Sequence, residues 1–151
     1  VASRSPVSLL VGEIETVLST DGSSVTSAYD VVTLREVVPL SAGPSRVVMG
    51  KVVRPDGSFA PRVLVTAFDS RVVYVYDPDG HRVETVIRTG RGPQSLAVDA
   101  GVGPDGPYAH LYVAHFTDSY VGVVSLDQRK PATYGQVLLT VGEPAPPREE
   151  Q

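Results

Sequence analysis

Val63-Leu64-Val65-Thr66-Ala67-Phe68 returns further along the chain as Leu111-Tyr112-Val113-Ala114-His115-Phe116, and this pair decides the fold. Each copy is a short apolar run ending in a turn. Working outward, Gly43-Pro44 recurs forty-nine residues later as Gly92-Pro93, and Pro55-Asp56-Gly57 recurs as Pro104-Asp105-Gly106 at the same offset. Downstream, Asp69-Ser70 matches Asp118-Ser119 if one residue is inserted, and Val72 to Asp77 matches Val121 to Asp127 with one more. A partial third copy lies upstream. Ser24 to Asp30 resembles Arg71 to Asp77, and Thr33 to Val38 resembles Arg82 to Ile87. Self-similarity at this period is the mark of a repeat architecture.

The unit reads as four strands. Val occurs 28 times and Leu 11 times, the reverse of a helical bias, because β-branched side chains lose rotamer freedom on a helix and pack well on a pleated surface. The runs at Val63–Val65, Val72–Tyr76, Leu111–Val113, Val121–Val124 and Val137–Val141 are each bounded by Pro, Gly, Asp or Ser, which is the strand-and-turn pattern. Several do not alternate, as expected of strands covered on both faces. The Pro-Asp-Gly turns at 55–57, 78–80 and 104–106 are hairpin candidates, since Pro presets φ and Gly takes a positive one. Residues 7–18 are ambiguous. Val7, Leu10, Val11, Ile14, Val17 and Leu18 also fit helical spacing.

Four strands in about 40–50 residues is the size of a propeller blade. The expectation is an all-β chain of β-propeller blades, each a four-stranded antiparallel sheet, with about two complete and one partial. The blades fall at 1–42 (partial), 43–90 and 91–142 of a region spanning 1–147, with a tail at 148–151. Glu143-Pro144 alternatively opens a further blade. A closed propeller needs 4–8 blades, so other blades or chains are expected to complete the assembly, and open strand edges invite such partners.

The segments Val63 to Gly90 and Leu111 to Gly142 resemble the YVTN family of β-propeller repeats, found in YncE-like surface propellers and, more distantly, in lactonase-like ones. The residues from Leu111 to Asp127, followed by a strand and Gly142, carry the resemblance, with the lead-in Gly90-Arg91-Gly92-Pro93. It covers about residues 24–147 and is narrowest toward the C-terminal blades of secreted or lipoprotein-type bacterial propellers. Their lipid-attachment Cys has no counterpart here, since the chain has no Cys. The resemblance implies a periplasmic, outer-membrane-associated or extracellular location. Fold alone does not carry an activity over.

Charge and motifs narrow the function classes. Thirteen basic residues against seventeen acidic ones, with no basic run, make nucleic acid a poor partner. Apolar runs of a few residues fall short of a membrane span. Gly101 to Gly106 fits G-x-G-x-x-G literally, but a strand follows where the dinucleotide fold needs a helix. Asp77-Pro78-Asp79-Gly80 starts like a calcium loop without the distal Glu. His81, His110 and His115 do not converge as a zinc site requires, and no G-x-S-x-G elbow accompanies His115, Asp118 and Ser119. Asp69 and Asp118 read as equivalent turn residues. Tyr74, Tyr76, Tyr112, Tyr120 and Tyr134 read as packing between sheets.

No catalytic residue, metal or cofactor is therefore assigned. Ligands are expected at the loops entering the innermost strands and at the second-to-third-strand turns. These carry Ser45, Asp69, Arg91, Gln94, His115 and Asp118. The function expected is noncatalytic binding of a protein or surface polymer, by another chain, further blades or a homo-oligomer. The alternative is a lactonase-like or dehydrogenase-subunit propeller enzyme with a site near the axis.

Overall fold

A computed structural model describes residues 1–5 and 7–143. The tail at 148–151 and the lead-in residue Pro144 lie outside them. The described chain is all-β, with eleven strands in three antiparallel sheets and no closed barrel. None of its elements is a helix, so no helix is long and apolar enough to cross a membrane.

The N-terminal sheet holds β1 (Ala2–Arg4), β2 (Val7–Asp21) and β3 (Ser24–Pro39) in that order. The middle sheet runs β4 (Pro44–Val53), β5 (Phe59–Ala67), β6 (Val72–Asp77) and β7 (Arg82–Arg88). The C-terminal sheet repeats that plan with β8 (Pro93–Gly103), β9 (Gly106–His115), β10 (Val121–Ser125) and β11 (Val137–Val141). All three Pro-Asp-Gly segments form the hairpin turns expected of them. Residues 7–18 are extended in β2, not helical. Their cross-strand partners on β3 supply hydrogen bonds that a lone amphipathic helix would have had to make internally.

The upstream copy departs from the sequence reading. Ser24–Asp30 is not a separate third strand, because it continues into Thr33–Val38 as the single strand β3. The third-strand place is taken by the start of β2, where Leu9 pairs with Val38. The hairpin between them is lengthened into a two-stranded ribbon. β2 continues ten residues past Val11, roughly 30 Å at about 3.3 Å per residue. From Gly12 to Leu34 the ribbon is exposed on both faces, apart from a half-buried Val17.

The sheets stack, with the middle one covered on both sides. One face of it (Leu64, Val73, Val75 and Ile87) packs on Leu111 and Val113 of the C-terminal sheet. Its other face (Val65 and Tyr76) packs on Leu9 and Val38 of the N-terminal sheet. This is why Val63–Val65 and Val72–Tyr76 do not alternate. Each fully buried aliphatic side chain here stabilises by about 1.5–3 kcal/mol relative to exposure.

Polar groups tie the stack together. Tyr76 donates to Glu36 of β3 at 2.6 Å. Burial, and then that carboxylate, pushes the Tyr76 phenol up to about 12. Between the middle and C-terminal sheets, the buried Arg62 guanidinium meets Glu84 at 2.5 Å and Asp77 at 3.2 Å. Glu84 also accepts from the Tyr134 hydroxyl at 2.5 Å and from the Gln128 amide, both on the segment after β10.

Two substitutions test this packing by urea denaturation. Arg62→Met leaves two carboxylates buried without their cation and is expected to cost about 3–5 kcal/mol. The Thr66 hydroxyl is buried with no hydrogen-bond partner among the described residues. Thr66→Val keeps the branched shape, removes that group and is expected to stabilise by about 1 kcal/mol.

Candidate functional site

The second-to-third-strand turns and the segments leading into β4 and β8 lie at one end of the stack, as their strand pairings require. The backbone there repeats faithfully. Gly43 and Gly92 take left-handed φ values of +82° and +66°, and their carbonyls accept from the Phe68 and Phe116 N–H groups at 2.7 and 2.8 Å. A Cβ on Gly43 would lie 2.4 Å from an Asp69 carboxylate oxygen, and one on Gly92 2.4 Å from the Thr117 hydroxyl. Positive φ and close approach together require glycine at both positions. Arg71 and Ser119 are left-handed in the two turns, at φ 58° and 57°.

This geometry corrects the pairing of the turn residues. Without the inserted residue, Asp69 corresponds to Thr117, each against its glycine. Asp118 then corresponds to Ser70. Ser70 donates to the Ala42 carbonyl at 2.6 Å, whereas the Asp118 carboxylate accepts from the Arg91 N–H at 2.6 Å and from its guanidinium at 2.8 Å. Asp69 and Asp118 are therefore not equivalent, and the shared Asp-Ser letters misled the alignment by one position.

Of the six residues singled out in the sequence, three come together. Arg91, His115 and Asp118 form one cluster with Gly90 and Tyr120. The Gly90 N–H donates to His115 Nε2 at 3.1 Å, which makes Nδ1 the protonated nitrogen, donating to the Tyr120 carbonyl at 3.3 Å. The imidazole stacks on the Tyr120 ring with centroids 4.2 Å apart. Burial holds the His115 pKa below its ordinary value of 6.5. For Asp118, burial pulls upward, but the Arg91 N–H and guanidinium outweigh it and hold the carboxyl below 3.8. Ser45, Asp69 and Gln94 are exposed at the same end, outside this bonded group. Ser45 makes one long bond of 3.5 Å to the Thr66 carbonyl.

The cluster's chemistry is that of a lock. Both ring nitrogens of His115 are engaged by backbone and Asp118 is held by Arg91, so neither lines up with Ser119 as a nucleophilic triad would need. Among the described residues no three His, Asp or Glu side chains are placed around a common point. The other motifs are turns: Gly101–Gly106 joins β8 to β9 without a helix, and Asp77 accepts from the Asp79 N–H at 3.1 Å.

A feature the sequence did not flag lies at the opposite end of the C-terminal sheet. A cleft of about 520 Å³ is lined by Pro104, Tyr108, His110, Asp127, Arg129 and Thr133 among others. Tyr108 and His110 stack at its wall, 5.7 Å apart. Asp127 and Arg129 form a bidentate pair, with Arg129 also donating to the Pro107 carbonyl at 2.5 Å. The alternation of Tyr108, His110 and Tyr112 on one face of β9 was the available signal. The tyrosines divide accordingly: Tyr76 lies between sheets, Tyr120 in the turn, and Tyr112 on an uncovered face. Compared with known proteins, the chain matches no family model and no curated protein.

The lock predicts acid sensitivity. A His buried in neutral form binds its proton less readily folded than unfolded, so its contribution is whole above about pH 6.5 and is lost as pH falls below it. Asp118 acts with the same sign at lower pH, losing its contribution as it protonates. The melting temperature is expected to fall from about pH 6.5 downward, and His115→Gln to flatten that slope between pH 6.5 and 5. An unchanged slope in the variant would reject His115 as its cause.

Proposed function

We propose that the chain is a noncatalytic β-propeller module, of the YVTN kind its repeat resembles, that completes a larger β assembly with other blades or chains. In that assembly it serves to bind a protein or a surface polymer, in a periplasmic, outer-membrane-associated or extracellular setting.

The observation that carries this reading is an asymmetry of burial. Among the described residues the middle sheet is covered on both faces, while each terminal sheet has one face that no other sheet covers. On the C-terminal sheet, cross-strand pairing puts Tyr112, Val121, Val123, Leu139 and Val141 on the side away from the middle sheet. On the N-terminal sheet, Leu10, Ile14, Leu18, Val32, Leu34 and Val37 share the outward side. Ile14 is 68% exposed and Val32 71%. Clustered exposed apolar side chains of this kind are a feature of interaction sites, and a lone two-stranded ribbon is at best marginally stable in water.

The test is the mass and polypeptide content of the native particle, by light scattering after gel filtration with a denaturing gel of the same peak. A particle heavier than one chain is expected. A lone monomer of 16.0 kDa would overturn the reading.

A further inference from the structure

The partner can be named from the polarity of the stack. This inference rests on the assembly reading above and goes further by choosing the occupant. The repeat makes the inner face of the middle sheet a template for the bare face of the C-terminal sheet. Strand pairing aligns Leu64 with Tyr112, because Leu64 pairs with Val75 and Tyr112 with Val123. It likewise aligns Val73 with Val121 and Ile87 with Val141. Ile87 is fully buried under the next sheet, whereas Val141, in the same place one repeat later, is 59% exposed. The bare face therefore has the residues of a covered one, and what covers that face inside the chain is the opposite face of a following sheet.

The N-terminal sheet offers such a face. Its inner side already packs on the middle sheet through Leu9 and Val38. Its outer side, at Leu34 and Val37, is apolar and exposed. Setting that side on the C-terminal sheet of another molecule preserves the order of facing surfaces seen at both internal interfaces. A contact between unlike faces generates either a ring or an open chain. Two copies give six sheets, within the range of closed propellers.

The stacking order within the chain argues against like faces meeting. Both internal interfaces join unlike faces: Leu64, Val73, Val75 and Ile87 meet Leu111 and Val113, and Leu9 and Val38 meet Val65 and Tyr76. We propose that the bare faces are filled by a second copy of this chain, head to tail, with the outer side of one N-terminal sheet on the C-terminal sheet of its partner, closing a ring of six sheets.

The experiment uses two variants of the full chain, Leu34→Arg and Leu139→Arg. Both positions are exposed in the single chain, so each variant is expected to keep the far-ultraviolet spectrum and melting temperature of a folded monomer. Light scattering is expected to give a dimer for the native chain and monomers for each variant alone. Mixed one to one, the variants retain one undamaged interface and are expected to recover a dimer containing one of each by native mass spectrometry. Contact between like faces predicts otherwise: one of the two variants would still form a dimer by itself. A native particle of three or more copies, a dimer that survives either substitution, or a mixture that stays monomeric would overturn the proposal. A particle holding a different polypeptide overturns it too, yet leaves the assembly reading standing. A lone native monomer removes both.

Discussion

Sheet-on-sheet packing through Leu64, Val73, Val75 and Ile87 on one side of the middle sheet, and Val65 and Tyr76 on the other, is the contact on which the remaining structure depends. Strands that are apolar on both sides cannot be left facing water. They require a neighbour on each side, and the described residues provide both for one of the three sheets. The same packing rule that stabilises the middle sheet leaves the terminal sheets unsatisfied.

Directionality comes from the polar groups within that packing. Apolar faces slide over one another at little cost, whereas the Arg62 guanidinium, with Glu84, Asp77, Tyr134 and Gln128 around it, has one geometry. A buried ion pair contributes little net stability against an apolar substitute. Its effect is to fix how the segment after β10 sits on β7, where a Cβ on Gly135 would meet Ile87. On the other side, Tyr76 and Glu36 pin the base of the ribbon.

The cluster of Arg91, His115, Asp118 and Tyr120 performs the same service at the turn end. Its groups are satisfied by one another and by backbone, which suits holding the lead into β8 against the turn after β9. The large apolar side chains left exposed lie on the sheet faces, such as Ile14, Val32, Leu139 and Val141.

Strand identity, the three Pro-Asp-Gly hairpins and the repeat were legible in the sequence, because each depends on local chemistry: β-branched side chains, proline's fixed φ and glycine's positive φ. The double coverage of Val72–Tyr76 was also legible, since missing alternation reports burial on both sides. The ribbon was not. Ser24–Asp30 resembles a third strand letter by letter, and only the pairing of Ile14 with Val32 and Val17 with Tyr29 decides that it continues β3. Arg91 and Asp118 were both singled out in the sequence, but their pairing and Ser70 as the counterpart of Asp118 emerged only from the fold, because a one-residue shift leaves similar letters aligned and moves every side chain. Local propensity thus determined which segments are strands. Tertiary structure alone decided which faces meet and which stay bare, because coverage belongs to the neighbour in space and no single segment encodes it.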